Sequence, residues 1–210
     1  AGMGSYTILL NADTAFLGRI SPTAQGVAGI ADIAFLVIAL TLGGLSIGTQ
    51  VLVARRFGEG RTERIGVITD NGMIAALAVG IASTAFLLYF LPQITALCFE
   101  SPELRKLGEP FLQVKLYGLV IFLLMAPLRG FIVGIGETIH FLIASALRAA
   151  CNVFFDYALI FGKFGLPEMG IQGAPWAQNI SLAVALIYLV AVVFFGSYKK
   201  RFALFSFRFD

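Results

Sequence analysis

Charge is what this chain has least of. Asp, Glu, Lys and Arg make up 13% of its 210 residues, against roughly a quarter in a soluble domain. Hydrophobic residues make up 59% and mean hydropathy is +0.90. A soluble protein of this length needs a polar skin, and too few polar residues are present to make one. Cysteine and histidine are nearly missing, at two and one. Cys98 falls near the end of one apolar run and Cys151 near the middle of another, and this separation in depth argues against a disulfide. With His140 as the one histidine, no cluster of transition-metal ligands forms, and His140 reads as a solvated loop residue. No Ser/His constellation is present, and neither Asp13 nor Asp156 sits in a Gly-Asp loop, so the pattern does not suit an intramembrane protease or another enzyme. The net charge of +3 is not gathered into the basic face that nucleic acid requires.

Long apolar runs are what the chain has instead. A helix needs about 20 predominantly apolar residues to cross hydrocarbon. The runs Val27–Val53, Asn71–Cys98, Phe111–Ile135, Phe141–Phe161 and Ile171–Phe195 qualify, each bounded by charge, Gly or Pro clusters. Residues 1–18 read as the C-terminal part of a further helix whose beginning is missing, weakened by Gly2, Gly4 and Ser5 and without the pattern of a secretory signal. The expected fold is an all-α integral membrane bundle of six helices over residues 1–196, followed by a basic segment at 197–210. Gly44-x-x-x-Gly48 and Gly130-x-x-x-Gly134 lie in apolar runs, follow no strand and lack a phosphate-loop Lys-Ser/Thr, so they read as helix-packing surfaces. Pro127 and Pro175 free backbone groups and permit bends.

Orientation follows from Lys and Arg. Arg55, Arg56, Arg61 and Arg64 crowd one connection, and Lys199, Lys200, Arg201 and Arg208 crowd the tail, so both belong on the cytoplasmic side. The connections Phe99–Pro110 and Gly162–Gly170 then fall outside.

Within this apolar background one stretch stands out, "RAACNVFFDYALIFG" at 148–162. Arg148, Asn152 and Asp156 recur every four residues and form a polar stripe on one helix face. At about 1.5 Å per residue, Asp156 lies about 9 Å below the outer end of its span and Asp13 about 7–8 Å below the same surface. The two carboxylates share a level, and Asn152 lies one turn deeper. A buried carboxylate either takes a proton or binds a cation, and two carboxylates with a carboxamide suit a hard cation such as Na⁺. Intramembrane acids usually mark ion pathways, and the alternative is polar glue between helices in a non-transporting scaffold. Arg148 is expected to line a cavity or snorkel toward the cytoplasm, Arg129 to anchor at the interface, and Asp32 to sit near the outer interface.

The stretches "NADTAFLGRISPTAQGVAGIA", "GLSIGTQVLVARRFGEGR", "RGFIVGIGET" and "NVFFDYALIFGKFGLPEMGIQGAPWA" resemble the N-terminal half of the multidrug and toxic compound extrusion (MATE) transporters across nearly the whole chain. The Asn-x-x-x-Asp is similar to that of the DinF-like branch. The resemblance implies cation coupling by H⁺ or Na⁺ at Asp13, Asn152 and Asp156, with no other cofactor. Gln178 stands where members of that branch often carry Thr, and is an additional cation-site candidate with Arg148. "GETIH" lacks the basic residue that follows in the family pattern, and Pro175 and Arg148 are unusual at their positions. The resemblance further implies about twelve spans in two lobes, a second six-helix lobe as partner, a place in the cell membrane, and antiport of amphipathic, often cationic, drugs by alternating access. The rival within the superfamily, a lipid-linked oligosaccharide flippase, needs a strongly basic cavity, for which only Arg148 and Lys115 are available.

Overall fold

The computed structural model describes residues 13–205. Residues 1–12 of the expected partial first helix and the end of the basic tail, Arg208 included, lie outside that range. Among the described residues every regular element is a helix. Helix α1 (13–20) turns at Ser21 into α2 (Pro22–Leu42). The Ser21 hydroxyl accepts the Ala24 N–H at 3.0 Å, and Pro22 takes the first turn, where its missing N–H costs nothing. The chain then forms α3 (Gly44–Gly58), α4 (Glu63–Tyr89), α5 (Leu91–Cys98), α6 (Pro102–Tyr117), α7 (Leu119–Gly134) and α8 (Thr138–Ile160). A single 3₁₀ turn, Gly170–Gln172, leads into α9 (Gly173–Phe195), and α10 (Tyr198–Phe202) closes the series.

Five stretches are long and apolar enough to cross a membrane: Pro22–Gly58, Glu63–Tyr89, Pro102–Gly134, Thr138–Ile160 and Gly170–Phe195. This is a multi-pass membrane protein. Its surface is apolar: Ile33, Val37 and Leu40, spaced on one face of α2, are 61–70% exposed. The stretches match the expected runs in order but differ at their ends. The second begins at Glu63 rather than Asn71, and it stops at Tyr89, with α5 as a separate short helix. The third begins at Pro102 rather than Phe111, so most of the expected outer connection is helix, capped where the Ser101 hydroxyl accepts the Leu104 N–H at 3.2 Å. Hydropathy misses both openings because their first turns are polar. The first and third stretches are also interrupted, at Gly43 and Gly118.

Two apolar cores occupy the two ends of the bundle. One joins Val53, Ile65, Leu128, Phe131, Leu189 and Phe202 near the 59–62 connection. The other joins Leu17, Val27, Phe99, Phe111, Ile160 and Ala174 at the end that carries the 161–172 connection. Helices α8 and α9 approach most closely there, because Gly173 meets the backbone of Leu159 and Ile160: a Cβ at Gly173 would lie 2.7 Å from Ile160 N. The expected packing role of small residues holds for Gly134, which receives Val53 of α3. It does not hold for Gly44 and Gly48, which face open space among the described residues.

The tail differs from a loose basic segment. Phe202 and Leu204 are buried in the first core, and Phe202 sets its ring 5.5 Å from that of Phe131. The Phe202 carbonyl lies over Gly66 and leaves no room for a Cβ there. The Phe205 N–H donates to Asp70 Oδ1 at 2.8 Å.

Candidate functional site

Helix α8 carries the polar stripe on the face that packs against α9. Asn152 and Asp156 are 0% exposed and lie one turn apart on that face. Asp13 reaches them from α1 at 2% exposure, and Gln178 comes from the second turn of α9. Thus three helices contribute to one polar cluster, and the close approach at Gly173, a turn away, sets the spacing between two of them.

The cluster is built around Asp13. The Asn152 side-chain amide donates to Asp13 Oδ1 at 3.0 Å and also to Asp156 Oδ2. The Gln178 amide donates to Asp13 Oδ2. Asp156 and Asp13 interact directly as well. Asn152 thereby bridges the two carboxyls, and Gln178 holds Asp13 alone. Among the described residues, two buried oxygens, Asn152 Oδ1 and Asp156 Oδ1, accept no hydrogen bond. A carboxylate pair away from water favours any cation that relieves its repulsion, and oxygen donors suit a proton or a hard ion. Leu17, Ile160 and Ala174 sit one turn from Asp13, Asp156 and Gln178 respectively, all in the same buried apolar core. They lie between the cluster and the 161–172 end of the bundle.

The structure brings together Asp13, Asn152, Asp156 and Gln178. Arg148 is half-buried one turn beyond Asn152, with its Nε in the interior. Asp32 is a correction. It was expected at the outer interface, yet it lies inside the bundle in an ion pair with Lys115. Helix α2 starts at Pro22 rather than Val27, and this puts Asp32 about 15 Å in from the helix start. Lys115 is itself buried, with its ammonium 5.5 Å from the Phe35 ring centroid and 5.6 Å from that of Phe111. His140 is a second correction: it belongs to the first turn of α8, and its Nδ1 lies 3.2 Å from the Tyr188 hydroxyl. Arg129 is exposed, with its guanidinium 4.9 Å from the Phe141 ring centroid. Asp70 was missed, although an acid beside an apolar run was a readable signal. Cys98 and Cys151 are unpaired thiols.

Comparison with known proteins agrees with this architecture. The chain matches the MatE family model over residues 2–158. It is 33% identical over 189 residues to a probable multidrug resistance protein NorM of Thermotoga maritima, covering 87% of this chain and 39% of that protein. A probable NorM of Synechocystis is 28% identical over 183 residues, covering 84% of this chain and 40% of that one. The chain thus spans about two fifths of the length of these curated relatives. Among solved structures, a MOP superfamily transporter from Pyrococcus furiosus, described as having a binding pocket of reverse polarity, superposes with a TM-score of 0.84 at 23% identity, covering 92% of this chain and 42% of that one. An outward-facing multidrug resistance MATE transporter gives the same TM-score, identity and coverage. These likenesses establish a shared helical fold. On the match to the family model, together with the NorM relative in Thermotoga, the chain belongs to the MatE family of transporters.

Proposed function

We propose that this chain forms one lobe of a two-lobe, cation-coupled antiporter that exports amphipathic, often cationic, compounds. In this reading Asp13, Asn152 and Asp156 take up H⁺ or Na⁺ with help from Gln178, and the connection that carries or adjoins Arg55, Arg56, Arg61 and Arg64 faces the cytoplasm together with the tail. The observation that carries the proposal is the buried cluster itself: two acids in direct contact, bridged by Asn152, with two buried oxygens that accept no hydrogen bond among the described residues.

The cluster ties α1 to α8 and α9. Cation arrival changes the charge of the acids that the two amides hold, and so changes the relative stability of bundle arrangements with α1 in different places. A coupling ion drives export only through this difference in affinity between states. The flippase alternative fits less well, because Lys115, half of the basic pair it needs, is neutralised by Asp32.

The test uses the complete two-lobe protein in a drug-sensitive host, compared with Asp13→Asn and Asp156→Asn at matched expression. Drug efflux and its dependence on ΔpH and on Na⁺ are measured. Loss of ion-dependent efflux in both variants supports coupling at this cluster, and undiminished, ion-dependent efflux in both would overturn it. Movement of glycolipid without drug export would favour the flippase.

A further inference from the structure

A cavity opens at the end of the bundle that carries the 161–172 connection. Arg19 of α1, Tyr157 of α8, Phe161 just after it, and Lys163 and Glu168 of the connection line about 310 Å³. That volume lies in the range of small-ligand pockets, about 300–1,000 Å³. Two cations and one acid thus share a space with two aromatic rings. Among the described residues none of these three charges is in a salt bridge, although they line the same cavity. The cavity uses none of the ion cluster's side chains, so it stands whether or not the coupling reading does.

The walls are held in place by the backbone. The Lys163 N–H donates to the Ala158 carbonyl at 2.9 Å, the Leu166 N–H to the Lys163 carbonyl at 3.1 Å, and the Met169 N–H to the Leu159 carbonyl at 2.8 Å. The connection is therefore folded back onto the end of α8. Glu168 packs over Gly162, where a Cβ would stand 2.9 Å from that of Glu168.

One residue of this connection is strained in an informative way. Phe164 has a φ of 58°, a region that bulky side chains rarely adopt, and it is 71% exposed. Burial in a core does not explain it. Its ring stacks on Phe154 at 5.2 Å and stands 6.3 Å from that of Tyr157, which is 5.7 Å from Phe161. A continuous row of rings runs from the exposed face of α8 up to the cavity. Strain of this kind persists where a site uses it.

Height in the membrane names the occupant. Helix α8 belongs to a stretch long and apolar enough to cross hydrocarbon and ends at Ile160, and Trp176 is exposed in the first turn of α9. Aromatic residues at helix ends mark the headgroup level. A site there with two cations, one acid and an apolar track matches a zwitterionic lipid.

We propose that this cavity binds the phosphoethanolamine headgroup of a phospholipid, with Arg19 and Lys163 on the phosphodiester, Glu168 on the ammonium, and an acyl chain along Phe154 and Phe164. Arg and Lys are donors suited to phosphate oxygens, and the carboxylate accepts from the ammonium N–H groups. Phosphatidylglycerol offers Glu168 no cation. Phosphatidylcholine offers it a cation with no N–H to donate.

The test presents the complete transporter in detergent with equimolar phosphatidylethanolamine, phosphatidylcholine and phosphatidylglycerol of identical chains, and reads retained lipid by native mass spectrometry. The parent is expected to retain phosphatidylethanolamine about fivefold over either of the others, the discrimination one exposed ion pair can supply. Glu168→Gln is expected to erase the advantage over phosphatidylglycerol while lipid is still retained. Arg19→Gln combined with Lys163→Gln is expected to lower retention of all three about fivefold. These side chains are exposed, so their replacement leaves the packing intact. Equal retention of the three lipids by the parent, or an unchanged lipid profile in both variants, overturns the proposal. Glycerophosphoethanolamine, which has the headgroup and no chains, is expected not to displace the lipid at equal concentration. Displacement would assign the cavity to a soluble phosphate ester and overturn the lipid reading.

Discussion

A methyl group added at Gly173 offers a clean test of how the cluster is held. The Cβ of Gly173→Ala would lie 2.7 Å from Ile160 N, 2.8 Å from Leu159 C and 2.9 Å from Ile160 Cα. All three are backbone atoms, so no side chain can swing away. Ordinary contact begins near 3.4 Å, and α8 and α9 must therefore part by about 0.7 Å in a close-packed interior. Overpacking of this kind costs about 1–3 kcal/mol. At about 2–4 °C per kcal/mol for a chain of this size, the melting temperature in detergent should fall by about 2–12 °C. The wedge enters one turn from Asp156 and about 7.5 Å along α9 from Gln178. Widening there stretches the bonds that join Gln178 and Asn152 to Asp13. Ion-dependent efflux by the complete transporter should fall along with stability. Gly29→Ala is the control, since nothing lies within 4 Å of a Cβ at Gly29, and it should leave stability unchanged or raise it by up to about 1 kcal/mol. If Gly173→Ala melts at the parent temperature, the reasoning from close approach is wrong.

Two further outcomes are expected. Asp70→Ala removes the buried acceptor of the Phe205 N–H, at a cost of about 1–3 kcal/mol, and should speed hydrogen exchange across 202–205; unchanged exchange there would refute the docking role. Glu59 accepts hydrogen bonds from Arg56 at 2.6 Å and Arg55 at 3.0 Å, and these hold its carboxyl below the ordinary 4.5. A lowered carboxyl contributes above its ordinary value and loses that contribution as pH falls through the lowered one, so the 59–62 connection should stay closed at pH 4.5 and open only in stronger acid. A titration that finds Glu59 half-protonated at or above 4.5 contradicts this.

Run length alone located the membrane stretches, because apolar side chains must extend across hydrocarbon whatever their neighbours do. Their starts were hidden where the first turns are polar. Glu63–Asp70 and Pro102–Glu109 look like connections by hydropathy, although the Ser101 cap and Pro102 were legible start signals. The breaks at Gly43 and Gly118 were not legible, since a glycine in an apolar run is as compatible with a continuous helix. Four-residue spacing placed Asn152 and Asp156 on one face, and depth put Asp13 level with them. That α1 and α8 are neighbours came only from the structure. The Lys115–Asp32 pair stayed out of reach for the same reason: its partners are on different helices, and its depth depends on where α2 and α6 begin.

The apolar residues Leu17, Ile160 and Ala174, between the cluster and the 161–172 end, bear on energy economy. A hydrated ion cannot pass three packed aliphatic side chains without shedding its water, and with them in place that dehydration has no compensation. On the antiport reading proposed above, this barrier suppresses passive slip through the lobe between turnovers, and a gradient is spent only when the helices separate.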